Sequence, residues 1–108
     1  MEAIRQGDVM LVRVGQLSAN RQEHPADNGR IVVEYGEVTG HAHVLDRNDV
    51  LAYDIVSEAG VIVGQEFLVL TETPLRHDEH APITLAPDVW ERWYQVEDDG
   101  AEERRVLD

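Results

Sequence analysis

Turn-forming residues recur about every 8–12 residues along this chain, and no other feature constrains its fold so strongly. Short β-branched runs lie between the turns. Residues 7–14 (GDVMLVRV), 30–35 (RIVVEY), 37–45 (EVTGHAHVL), 50–56, 61–63, 66–71 (EFLVLT) and 83–85 all read as strands. Residues 47–49 and 57–60 read as turns, and Gly64-Gln65 reads as a hairpin turn. Gly40, inside a strand run, suggests a bulge or a close backbone approach. Residues 15–29 form a long polar loop, a feature that is either functional or mobile in so small a chain. Residues 73–81 read as a second polar loop. Residues 89–96 (VWERWYQV) fit both periodicities, but their β-formers and short length favour a strand. No amphipathic helix longer than two turns is legible. The expected fold is all-β, a small single-domain antiparallel barrel or sandwich of about 7–8 short strands. One β domain is expected over residues 1–96, with an acidic, flexible tail over 97–108.

Composition narrows the function. The 108 residues include 22 acids and nine bases, for a net charge of -13. That balance argues against a direct nucleic-acid binder, which needs a basic face to release counterions. All nine bases are arginine. The missing lysine, with few Phe, Tyr and Asn, fits a GC-rich genome. Genome bias does not explain the acid excess, which also fits halophily or a functional acidic face. The tail from Glu97 holds six acids and two arginines, so the body is acidic as well. No cysteine is present, which excludes disulfides, thiolate metal sites, iron–sulfur clusters and cysteine nucleophiles. No signal-peptide core and no apolar run near 18 residues is visible, so no membrane association and a cytoplasmic location are expected.

Five histidines carry the one chemical hypothesis. Four form two close pairs, His41/His43 and His77/His80, while His24 stands apart. On a strand, Glu37, Thr39, His41 and His43 share one face, and Val38, Ala42 and Val44 the other. A bulge at Gly40 would move Glu37 and Thr39 but keep the histidine pair together. A loop between Pro74 and Pro82 can present His77 and His80 to one ion. Four neutral imidazoles, or three with Asp78 or Glu79, suit Zn, Fe, Ni or Cu. Glu37 or Glu79 would support or replace a ligand. The bland alternative is that the loop pair is solvated and the strand pair belongs to the core or its rim.

The strings GEVTGHAHVL (residues 36–45) and HDEHAPITL (residues 77–85), following QGDVMLVRV, resemble a family of small uncharacterised prokaryotic and phage-associated proteins. That resemblance covers most of residues 6–96 and implies that the two histidine pairs belong together. It implies no activity; for a phage protein it implies a host-cytoplasm location. The strand order around the polar loop is also similar to a chaperonin-10-like barrel, although that family's loop motif is absent. The His-x-His strand is similar to the first half of a cupin motif. Here Gly36 lies one residue closer to His41 than in cupins, Asp46 stands where a Glu is usual, and no second half is legible.

Other chemistry finds little support. Ser18 and Ser57 are the only serines, and neither sits in a nucleophile elbow. No phosphate-cradling loop with a following lysine exists. The acidic tail lacks calcium-loop spacing. Trp90, Trp93 and Tyr94 read first as core, and second as a stacking platform. Three functions follow as expectations. The first is a metal-binding protein holding a divalent transition metal (Zn, or Fe/Ni) at His41, His43, His77 and His80, with no enzymatic activity required. The second is an acidic interaction protein of a phage or mobile element that blocks a host protein's nucleic-acid site. The third is a cupin-like metal-dependent enzyme. Exposed strand edges make a homo-oligomer the expected state.

Overall fold

Leu11, Phe67 and Trp90 are withdrawn from water, and the strands that carry them lie side by side. A computed structural model describes residues 2–35, 42–98 and 103–106. Its strands are β1 (Ala3–Gln6), β2 (Val9–Arg13), β3 (Arg21–Glu23), β4 (Arg30–Tyr35), β5 (Ala42–Asp46) and β6 (Val50–Val56). They continue with β7 (Ile62–Val69), β8 (Thr73–His77), β9 (His80–Leu85), β10 (Asp88–Trp93), β11 (Gln95–Asp98) and β12 (Glu103–Val106). A six-stranded sheet runs β1-β2-β10-β7-β6-β3 and a four-stranded sheet runs β4-β5-β8-β9. Pairing is antiparallel throughout. Across the boundary expected between domain and tail, β11 and β12 pair as a two-stranded ribbon. The chain is all-β, as the turn spacing requires.

The core forms where the apolar faces of the two sheets meet. The six-stranded sheet contributes Val9, Leu11, Val50, Ala52, Phe67, Val69 and Trp90, and the other sheet contributes Ile31, Val33, Leu45, Leu75 and Leu85. Phe67 and Trp90 are direct cross-strand partners at the centre of the larger sheet. The Trp90 indole N–H is not wasted in this apolar setting, because it donates to the Ala86 carbonyl at 3.0 Å.

The strands differ from the expected 7–8 at several turn and loop signals. Residues 7–14 are not one strand. Gly7 and Asp8 form the two-residue turn of the β1–β2 hairpin, and Gly7 takes the positive φ of 59° that such a turn requires at its first position. Gly64-Gln65 is not a turn but lies inside β7. There Gly64 faces Trp93, and a Cβ would come within 2.6 Å of the Arg92 carbonyl, so the glycine serves a close strand approach. The polar stretch 73–81 is not a loop. It is mostly hairpin, with only Asp78 and Glu79 between β8 and β9. The 15–29 loop contains β3, an edge strand whose three side chains are all exposed, which is why no apolar pattern marks it. Residues 89–96 do include a strand, β10. The expected bulge at Gly40 falls outside the described residues. Register shifts occur instead between Val32 and Glu34 in β4 and between Leu75 and His77 in β8.

Truncating the central aromatic should leave a cavity that two sheets cannot collapse around. Phe67→Ala is expected to lower the unfolding free energy by about 3–5 kcal/mol. Leu51→Ala, at a position 45% exposed, should stay within about 0.5 kcal/mol. Urea unfolding of the two variants beside the parent chain checks both.

Candidate functional site

Strand β5 alternates His43 and Leu45 inward with Ala42 and Val44 on the other side, which are half-buried. His43 is therefore 7% exposed, a polar residue on a core face. The β8–β9 hairpin brings two further imidazoles to it. His77 and His80 are cross-strand partners flanking the two-residue turn. Their ring centroids are 4.7 Å apart, and they lie 4.3 Å and 6.1 Å from His43. Burial is graded across the trio, from buried His43 through half-buried His77 to exposed His80. Residues 43 and 77–80, separate in sequence, thus meet in space. His41 and Glu37 lie outside the described residues. His24 does not join the trio; its Nδ1 lies 2.9 Å from Asp54 Oδ1 on β6.

One side chain unread in the sequence organises the trio. Gln6, at the end of β1 and 2% exposed, donates through Nε2 to the carbonyls of Leu75 and Ala81, at 2.8 and 2.9 Å. Two carbonyl acceptors settle which end of the amide is nitrogen. Its Oε1 therefore faces His43 Nδ1, 2.8 Å away, and must accept. Neutral His43 carries its proton on Nδ1 and keeps a lone pair on Nε2. A carbonyl-type acceptor behind Nδ1 is how proteins orient a metal-binding imidazole. The same amide ties β1 to β8 and β9. At the adjoining turn, a Cβ on Gly7 would sit 2.7 Å from His80 Nε2, so the turn rests against that ring. No pattern in the sequence singles out Gln6; it is simply the residue before the Gly7-Asp8 turn.

The electrostatics keep His43 neutral. Burial pushes its pKa down to about 4, and the charges of His77, His80 and Arg92 act in the same direction against Asp8. Arg92 is itself buried, donating to the Val33 carbonyl at 3.1 Å and to Glu34 Oε1 at 2.8 Å. His77 has the opposite tautomer from His43, because its Nδ1 accepts the Glu79 backbone N–H at 3.1 Å. Among the described residues, no three His, Asp or Glu side chains already stand in a cation-holding arrangement. Coordination through His77 Nε2 would need the proton moved to Nδ1 and the Glu79 bond given up.

The aromatic cluster does not form a platform. Trp90 is buried and Tyr94 is nearly so, while Trp93 is 52% exposed and on the other face of β10. Among the described residues no helix is long and apolar enough to cross a membrane.

Two antiparallel sheets with a buried-to-exposed imidazole trio at one hairpin define a small all-β domain. The chain belongs to the family DUF8820, described as a domain of unknown function, which matches residues 5–95. That span contains Gln6, the three clustered histidines and Arg92, in keeping with the resemblance to an uncharacterised family. No curated protein and no solved structure matches the chain.

Removing the organising amide should be costly. Gln6→Leu leaves two carbonyls and His43 Nδ1 without their partner, an expected loss on the order of 2–3 kcal/mol. It should also free the His43 tautomer. Ring ¹⁵N shifts would then change from an Nδ1–H pattern to a mixture, while urea unfolding gives the loss.

Proposed function

We propose that this chain is a small metal-binding β protein whose ligands are His43, His77 and His80, with His41 as the fourth. The ion is a divalent transition metal, Zn or alternatively Fe or Ni, which imidazole nitrogen suits. The observation that carries this reading is the gathering of three imidazole rings from two hairpins, with the His43 tautomer held by Gln6. A ring kept neutral presents no proton for the metal to displace. A closed four-ligand site would brace the β8–β9 hairpin against β5; an open three-ligand site would leave a position for water and the cupin-like alternative.

Metal content by mass spectrometry of untagged protein tests the proposal. About one equivalent of metal is expected, falling several-fold in His43→Ala/His77→Ala. A substoichiometric content that the double substitution leaves unchanged would sink it. Exchange at the Glu79 amide should rise on adding zinc, since that N–H loses its acceptor.

The charge of -13 without lysine supports a second reading. In it the chain is an acidic interaction protein, carried by a phage or mobile element, that occupies a host protein's nucleic-acid-binding site. A partner retained from host lysate at low salt and lost at high salt is its expected signature.

A further inference from the structure

The outer face of the six-stranded sheet holds a polar cluster that the histidine site does not use. Glu66 on β7 and Glu91 on β10 are directly opposed in register. Directly opposite side chains lie about 4.5–5.5 Å apart at Cβ, and like charges there repel. Glu66 is fully buried and Glu91 is 8% exposed. Ser18, in the connection between β2 and β3, covers them. Its backbone N–H reaches both Glu66 oxygens at 3.0 Å, and its hydroxyl donates to Oε2 at 3.0 Å. The Trp93 indole N–H donates to Glu91 Oε1 at 3.0 Å. All these donors are neutral.

The charged and titratable groups on this face of each strand are few. They are Arg5 on β1, Tyr53 on β6, and Arg21 and Glu23 on β3, while β2 presents Met10 and Val12. The Arg21 guanidinium is engaged with the Tyr53 ring, 5.2 Å from its centroid, and with the Ser18 carbonyl at 2.7 Å. Among the described residues, no arginine forms an ion pair with either glutamate. Two buried carboxylates without a cation cannot both ionise cheaply.

We propose that Glu91 keeps a proton against Glu66, and that losing it releases Ser18, making residues 14–20 a pH-sensitive strap over the sheet's outer face. The β7–β10 backbone ladder holds the two Cα atoms in place, so repulsion has to be relieved by the side chains and by the strap above them. Burial first, then the hydrogen bond and charge of Glu66, push the Glu91 carboxyl up to about 7, against the donors Trp93 and Ser18. An acid raised in the fold favours the native state fully below its ordinary range. That contribution is lost as pH rises through about 7. Global stability is a poor readout, because His43, pushed down to about 4, changes it in the opposite sense between about pH 4.5 and 6.5.

Local signals on the full chain decide the matter. The Glu91 side-chain carboxyl, followed by ¹³C NMR, should titrate near neutrality. Ser18 amide protection, corrected for intrinsic exchange, should fall by about tenfold or more from pH 5.5 to 8.5. In Glu91→Gln, which keeps a neutral side chain at every pH, Ser18 protection should become independent of pH. A Glu91 titration in the usual carboxyl range would overturn the proposal, as would equal pH dependence of Ser18 in both proteins. Should the variant fail to fold, the parent chain's Glu91 and Ser18 titrations decide alone: they must share one midpoint, and separate midpoints would overturn it.

Discussion

The opposed pair Phe67 and Trp90 sets everything else in register. Both are fully buried and directly partnered on the two central strands of the larger sheet. Side chains alternate with period two, so burying this pair determines the direction of every neighbour on β7 and β10. It turns Gln65 and Arg92 inward and Glu66 and Glu91 outward. A slip of one residue would put the carboxylates into the core and the aromatics into water. Apolar burial at one point therefore dictates where two polar clusters form.

Those clusters differ in chemistry. The inward one is rich in donors: Arg92 reaches across to Val33 and Glu34 of the other sheet, near the imidazole trio. Gln65 Oε1 and Arg92 Nε are buried there with no protein partner among the described residues. Such under-satisfaction is costly and marks a region not optimised for stability alone. The outward cluster is rich in acceptors and is capped by one serine. Both lie beside hairpins or connections rather than in the middle of the apolar layer, where neither could be tolerated.

Much of the β character is legible in the sequence alone. The strands at residues 30–35 and 50–56 coincide with β4 and β6, because each is apolar on at least one face and bounded by turn residues. Failures came where a residue type serves two purposes. Gly7 makes a turn and Gly64 a close approach, yet both look alike in sequence. Residues 73–81 of the β8–β9 hairpin are hidden because they are partly exposed and carry no sustained alternation, whereas 83–85 falls in β9 as read. Among candidate ligands, the two close histidine pairs were visible as spacing. Gln6 was invisible, since its role depends on three groups at residues 43, 75 and 81.

By itself the sequence determined the class of fold, the absence of thiol chemistry and the net charge of -13, since composition and local periodicity are properties of nearby residues. Only the tertiary structure brought His43 to His77 and His80, set Gln6 behind His43 Nδ1, and placed Glu66 against Glu91 beneath Ser18. The last case shows why most clearly. In a chain with 22 acids, no two glutamates stand out until sheet register opposes them and buries them.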